Sequence, residues 1–256
     1  MTLTVGSLFS GVGGLDLGLE RAGMSVRFQV EIDPYCRRVL AKHWPNVERF
    51  DDVRLVGAHN LARVDVVCGG FPCQDISNAG RRAGIDGARS GLWSEFARII
   101  RELRPRLVLV ENVAALLVRG IDRVLGDLAE SGYDAEWDCI PACAFGAPHS
   151  RERLFLVANT DAIGRRSWRN RVSDAPRCGH WETTKNQRNW RDVERWLRSS
   201  FRDCYGTATT SELKRVDEWF PERLDRLRGL GNAVVPQVAE WIGRRIVEAI
   251  EAEGGR

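Results

Sequence analysis

Gly69-Gly70-Phe71-Pro72-Cys73-Gln74-Asp75-Ile76-Ser77 follows directly on Val64-Asp65-Val66-Val67-Cys68, a short run rich in β-branched residues and closed by two glycines. Such a run predicts a strand of a parallel sheet. In open α/β sheets, ligand sites form beyond the carboxyl ends of the strands, so a cysteine set just past this run, behind a proline, is placed for chemistry. A free thiol of pKa ~8.5 is a minor thiolate at neutral pH, yet it is intrinsically very nucleophilic. Arg81, Arg82 and Arg89 supply positive surroundings downstream. Burial as a small apolar side chain is the commoner fate of a free cysteine, but Pro-Cys-Gln after two glycines is too specific a context for a core filler.

Working outward, Asp75 to Ser90 holds five charged and three glycine residues. That is too long for an ordinary connection and reads as a functional loop able to close over a substrate. Gly91 to Leu103 then returns to a helical pattern, and Arg106 to Val110 is an apolar strand ending in Glu111-Asn112-Val113. Glu111 is therefore expected on the same rim as Cys73. Upstream, Leu3 to Phe9 reads as a strand, Ser10-Gly11-Val12-Gly13-Gly14 as a glycine turn, and Leu15 to Ala22 as a helix, the start of a nucleotide-binding βαβ unit. The spacing is not GxGxxG, so the dinucleotide fingerprint fails. Val26 to Val30 is the next strand, ended by Glu31, an acid placed to accept hydrogen bonds from ribose hydroxyls. Tyr35 to His43 continues as a helix. Tyr133 to Ile140 and Glu152 to Val157 read as a strand pair, with Arg151 and Arg153 two residues apart and hence on one face. Near the end, Val238, Ile242, Ile246, Val247 and Ile250 form one stripe of a helix running to about Glu251.

With 256 residues and 43% hydrophobic content, the chain can bury a full core as one domain with a small second lobe. No apolar run reaches the ~18 residues of a membrane span, and the first residues lack the features of a signal peptide, so a cytoplasmic protein with no membrane partner is expected. Seven cysteines at irregular spacings, with no second pair near Cys139 and Cys143, suggest neither a disulfide framework nor a zinc site. Net charge is only +3, but the segment from Thr160 to Arg215 carries 13 Lys and Arg against 7 Asp and Glu, net +6, leaving −3 for the rest. Trp168, Trp181, Trp190 and Trp196 fall in the same segment. A basic, aromatic-interleaved insert reads as a nucleic-acid contact surface, and the bias to arginine (only Lys42, Lys185 and Lys214 are lysines) supplies planar donors for phosphates and guanine edges.

GGFPCQDIS with the downstream NAGRRAGIDGARSGLWSEF resembles the catalytic motif and loop of the C5-cytosine DNA methyltransferases, of the bacterial or phage type. The first motif of that family is similar to SLFSGVGGLDLGLE, its catalytic glutamate motif to Glu111-Asn112-Val113, its Gly-x-Pro-Gln-x-Arg-x-Arg to the stretch from Gly146 to Arg153, and its last motif to GNAVVPQVAEWIG. These elements occur here in the family's order, with matches through most of residues 3 to 158 and 224 to 243. Two departures stand out. Ser7 occupies a position where many relatives carry an acid, with Asp16 nearby in sequence, and His149 replaces the glutamine.

The resemblance implies an α/β fold, a Rossmann-like S-adenosylmethionine-dependent methyltransferase sheet with a small, mostly irregular target-recognition lobe. The catalytic and cofactor-binding domain would be discontinuous, 1–158 plus 228–256, with 159–227 the recognition domain. It implies a catalytic set of Cys73, Glu111, Arg151 and Arg153, and a cofactor set of Phe9, Gly11, Gly13, Glu31, Ile32, Asp52, Val53, Leu92, Asn232 and Val234. Ile32 would pack on the adenine, and Asp52 would lie near its amino group. Gln74, Ser77, Arg81, Arg82, Arg165, Arg166, Arg169, Arg188 and Arg191 are expected at the DNA, and no metal is required. The expected function is DNA (cytosine-5-)-methyltransferase activity on a flipped-out base through a covalent Cys73–C6 adduct. The expected partners of this monomer are double-stranded DNA and a companion restriction endonuclease. Two alternatives are a tRNA cytosine-C5 methyltransferase, whose Cys-Phe-Thr signature is not present, and an inactive DNA-binding relative, against which the intact Cys73, Glu111 and Arg153 speak. Amino-methylating enzymes are disfavoured, because Asp33-Pro34-Tyr35 follows the wrong strand.

Overall fold

The structure, a computed structural model, describes residues 2–72, 92–147, 150–160 and 232–254. Seven strands make one sheet: β1 (Thr4–Leu8), β2 (Ser25–Val30), β3 (Glu48–Phe50), β4 (Val66–Gly69), β5 (Leu107–Val113), β6 (Tyr133–Pro141) and β7 (Glu152–Thr160). Their order is β3-β2-β1-β4-β5-β7-β6. β1 to β5 pair in parallel, and β7 runs antiparallel between β5 and β6. The helices are α1 (Gly14–Arg21), α2 (Pro34–His43), α3 (Leu92–Leu103), α4 (Leu116–Arg119), α5 (Ile121–Glu130) and α6 (Pro236–Gly254). This is the expected Rossmann-like α/β architecture.

Strand alternation divides the core between the two faces of the sheet. Val67, Val108 and Val110 pack with Trp93, Phe96, Ile100 and Leu128, beneath α3 and α5. Val66, Cys68, Leu107 and Leu109 pack with Leu15, Leu19, Val238, Ile242 and Ile246, beneath α1 and α6. Both faces of the central strands are thus covered, which is why they read as unbroken apolar runs.

Local chemistry sets the helix starts. Asp33 caps α2, its Oδ1 accepting from the Tyr35 and Cys36 amides at 2.8 and 3.1 Å, with Pro34 at the first helical position. α1 is preceded by Gly13, whose φ of 87° is left-handed. α1 then lies unusually close to α6. A Cβ on Gly18 would come within 2.4 Å of the Ala239 Cβ and 2.5 Å of the Pro236 carbonyl, and one on Gly14 within 2.3 Å of the Val234 carbonyl. The small residues of the first helix therefore admit the last one.

A polar layer crosses the centre of the sheet under α1. Ser7 lies opposite Gln29 on β2 and Cys68 on β4. The fully buried Asp16 of α1 accepts from the Ser7 hydroxyl at 3.0 Å and from Gln29 Nε2 at 2.9 Å. Burial pushes the Asp16 carboxyl up to about 6 and the Cys68 thiol well above its ordinary value. Cys36, Cys68 and Cys139 take part in no disulfide, whereas Cys143 is disulfide-bonded, a bond that the irregular cysteine spacing did not suggest.

Two local expectations differ from the structure. β5, expected to end at Glu111, continues through Val113, because β7 pairs with it as far as Val113 opposite Arg153. Arg151 is not a strand residue: it precedes β7 with a φ of 27°, so it and Arg153 do not share a regular strand face.

Candidate active site

At the carboxyl ends of β1, β2, β4 and β5 lies a cavity of about 490 Å³, where an open α/β sheet is expected to hold its ligand. Of the residues expected from sequence, Phe9, Gly11, Glu31, Ile32, Asp52, Val53, Leu92, Asn232 and Val234 line it, as do Glu111, Arg151 and Arg153. Gly13 does not. A Cβ there would meet the Trp44 ring at 2.5 Å, so its bareness serves packing at the start of α1. Cys73, Gln74, Ser77, Arg81, Arg82, His149 and the arginines from Arg165 to Arg191 lie outside the described residues. Pro72, the residue before Cys73, is part of the cavity wall.

The first end of the cavity is built by the glycine turn and the tips of β2 and β3. Phe9 leaves β1 with a φ of 53°, a conformation that bulky residues rarely adopt and that concentrates at functional sites. Glu31 Oε2 accepts from the Gly11 amide at 2.7 Å and Oε1 from the Asp33 amide at 2.8 Å. Each oxygen keeps a lone pair for a ligand. Desolvation raises the Glu31 pKa above the ordinary value, opposed by these amides. Beside it, Ile32 offers an apolar side chain that is 66% exposed. Asp52 caps a 3-10 turn, Val53–Leu55, and its carboxylate is gripped by Arg54, which holds its pKa below the usual carboxylate range.

The second end is set by β4 and β5, which pair from Val66 opposite Leu107 to Gly69 opposite Val110. Glu111 is 8% exposed, and its Oε1 lies 3.4 Å from Arg153 Nε. Burial raises the Glu111 carboxyl, while Arg153 and then Arg151 pull it down. Gly70 makes room for that carboxylate, since a Cβ there would lie 2.6 Å from Glu111 Oε2. Asn112 donates from Nδ2 to the Phe71 carbonyl at 3.1 Å, tying β5 to the segment that enters Pro72 and Cys73. Phe71 also packs on Trp93, Trp93 on Phe96, and Phe96 on Phe9, with ring centroids 5.3, 5.5 and 6.2 Å apart. An aromatic floor thus joins the two ends.

Arg151 lies between them and donates to the Ala233 carbonyl at 2.8 Å. It fastens the start of β7 to the segment Asn232–Val234, which returns to the cavity after the 71 intervening residues 161–231. Sequence reasoning missed Arg54, Asn112 and Ala233 as parts of this wall. An Asp two residues ahead of an Arg at a turn was a weak signal for the first. Asn112, through its side-chain amide, and Ala233, through its backbone carbonyl, meet partners brought close only by folding.

Among the described residues, no group of three His, Cys, Asp or Glu could hold a metal ion, and no helix is long and apolar enough to cross a membrane. The chain is 29% identical to Type II methyltransferase M2.BsuMI of Bacillus subtilis, over 95% of this chain and 75% of that protein. It is 38% identical to Type II methyltransferase M.Eco47II of Escherichia coli, over 60% of this chain and 39% of that one. A prophage-encoded Escherichia coli protein, its crystal structure described as that of a DNA modification methyltransferase, matches with a TM-score of 0.54 and 32% identity, over 63% of this chain and 48% of the other. DNMT2 of Spodoptera frugiperda shares the fold, with a TM-score of 0.54 at 18% identity, over 64% of this chain and 51% of that protein. The chain thus spans between 39% and 75% of the length of these relatives. The sequence profile of C-5 cytosine-specific DNA methylases matches residues 3–171, which include the glycine turn, both carboxylate walls and the arginines of the cavity, and the chain belongs to that family.

Proposed function

We propose that this chain transfers a methyl group from S-adenosylmethionine to C5 of a cytosine flipped out of duplex DNA, through a covalent adduct between Cys73 and C6. The observation that carries this reading is one cavity with two unlike ends: Glu31, Ile32 and Asp52 at one, Glu111 and Arg153 at the other, and Pro72 in the wall immediately before Cys73. The first end fits an adenosyl group, with carboxylate lone pairs for ribose hydroxyls, an exposed aliphatic side chain for the base, and an acceptor at Asp52 for its amino group. When bound, S-adenosylmethionine supplies an electrophilic methyl group.

The remaining chemistry belongs to the chain. Cytosine C5 is a poor nucleophile, and addition of the Cys73 sulfur to C6 raises the electron density there. Glu111, its carboxyl raised by burial, donates to N3 as negative charge gathers on the ring, and Arg153 faces the O2 side. C5 forms its new carbon–carbon bond, then loses its proton to water while the S–C6 bond breaks and the thiolate returns. A base inside a duplex cannot present its C6 face to a thiol, so the target nucleotide leaves the stack. Residues 1–158 and 228–256 form the catalytic unit, and 159–227 choose the sequence. The net +6 segment from Thr160 to Arg215 contacts phosphates, with Gln74, Ser77, Arg81 and Arg82 holding the opened site. The chain acts in the bacterial cytoplasm as a monomer, and the Type II naming of its relatives points to a companion restriction endonuclease.

Bisulfite sequencing of DNA from cells expressing the protein should reveal methylated cytosines in one short sequence. Cys73→Ser should abolish them while retaining S-adenosylmethionine binding, and the wild type should form a denaturation-resistant adduct with DNA containing 5-fluorocytosine. Substantial turnover by Cys73→Ser, or methylation of tRNA in place of DNA, would overturn the proposal.

A further inference from the structure

The cavity wall from Asp51 to Arg54 carries an arrangement that neither the fold nor the methyl-transfer chemistry requires. Arg54 Nε lies 2.9 Å from Asp52 Oδ1 and 3.1 Å from Oδ2, Nη2 lies 2.6 Å from Oδ2, and the Arg54 amide donates to Oδ1 at 3.0 Å. A fork of this kind occupies one edge of a carboxylate, fixes its plane and leaves acceptor capacity on the other edge. The backbone beneath is also held. Arg98 of α3 donates to the Val53 and Val56 carbonyls at 3.1 and 2.9 Å, and is itself gripped by Glu95 and Glu102 at 2.8 and 2.7 Å. Glu102 further accepts from the Ala58 amide at 3.0 Å. Arg54 is nonetheless an outward side chain, 61% exposed. Exposed ion pairs contribute little to stability, so four hydrogen bonds to one carboxylate at the lip of a cavity call for another explanation.

We propose that Arg54 is a positioning residue for base selection in the cofactor: it holds the Asp52 carboxylate in one orientation, so that its free edge accepts from the amino group of a 6-aminopurine and repels the carbonyl of a 6-oxopurine. The proposal rests on reading this end of the cavity as the adenosyl site. Without the Arg54 guanidinium, the Asp52 carboxylate keeps only the bond from the backbone amide of residue 54 to one oxygen, and its plane can turn about that bond and lose the orientation on which the distinction depends. A lysine at the same position retains the charge but not the fork.

The test is calorimetric titration of the wild type, Arg54→Ala and Arg54→Lys with S-adenosylhomocysteine and S-inosylhomocysteine. The wild type should prefer the adenosyl compound by at least about 100-fold, since a site built around a hydrogen bond rejects the analogue that cannot make it. Arg54→Ala should reduce that ratio about tenfold, the equivalent of one modest hydrogen bond, with Arg54→Lys between the two and the melting temperature of all three alike. An unchanged ratio in Arg54→Ala, with adenosyl binding intact, would overturn the role of Arg54 alone. A wild type that binds both compounds equally would overturn recognition by Asp52. A wild type that binds neither would overturn the assignment of the cavity itself.

Discussion

Replacing Asp16 with asparagine should make the protein more stable at neutral pH, although it removes a buried charge that accepts two hydrogen bonds. Asp16 has no exposure, and desolvation outweighs its bonds to Gln29 and Ser7, raising its carboxyl from 3.8 to about 6. The folded state therefore holds a proton that the unfolded chain releases between about pH 4 and 6. Over that window stability falls as pH rises, and above it the loss is complete. About two pKa units at 1.36 kcal/mol each give about 3 kcal/mol. Asparagine keeps Oδ1 for the Gln29 amide and turns Nδ2 toward the Ser7 oxygen, which can accept. Urea unfolding of both proteins at a series of pH values from 4 to 8 isolates the effect, because the other titrating groups are common to both. The variant should match the wild type near pH 4 and exceed it by up to about 3 kcal/mol at pH 8. A stability difference that is constant across the series would refute the reasoning.

Two further outcomes follow from the packing and the cavity. Gly18→Ala should destabilise the fold by about 1–3 kcal/mol and lower the melting temperature, because overlap with the Pro236 carbonyl and the Glu240 amide outweighs the gain of about 1 kcal/mol in helix propensity; an unchanged or raised melting temperature would show that α6 can yield. Glu31→Ala should weaken S-adenosylmethionine binding by about 1.5–3 kcal/mol, the worth of charged acceptors for ribose hydroxyls, and calorimetry showing wild-type affinity would remove Glu31 from the site.

The order of strands and helices through residue 160 was legible because buried parallel strands announce themselves as apolar β-branched runs between turn residues, as at Val66 and Val67 or Leu107 to Val110. Glu31 and the glycine turn were legible for a related reason: a strand end and a left-handed backbone leave local marks. What escaped was tertiary. The apolar run of β5 breaks at Glu111, yet the strand goes on, because its continuation is decided by hydrogen bonds to β7, a partner some forty residues away. Gly13 carried the mark of a ligand turn but serves the Trp44 ring, and nothing local marked Gly18 as the point where the last helix approaches. Ser7 stood out as a departure from the family pattern, and only the fold shows that Asp16 delivers a carboxylate to that place from the neighbouring helix. Arg151 was grouped with Arg153 by spacing, but its φ of 27° and its bond to Ala233 make it a strut between the two cavity walls.

The return of the last helix to the first has a consequence for how the protein is made. Every described strand of the sheet has been synthesised by residue 160, yet Asn232, Ala233 and Val234 complete the cavity, and α6 covers the glycines of α1. A nascent chain that already holds Glu31, Asp52 and Glu111 still has one open wall and an uncovered apolar stripe from Leu15 to Leu19. The ligand cavity is thus closed only after all the described strands are made. On the ribosome the sheet must wait through the 71 residues from 161 to 231 before the piece that seals it emerges, so an early stop in that interval yields a sheet without a site.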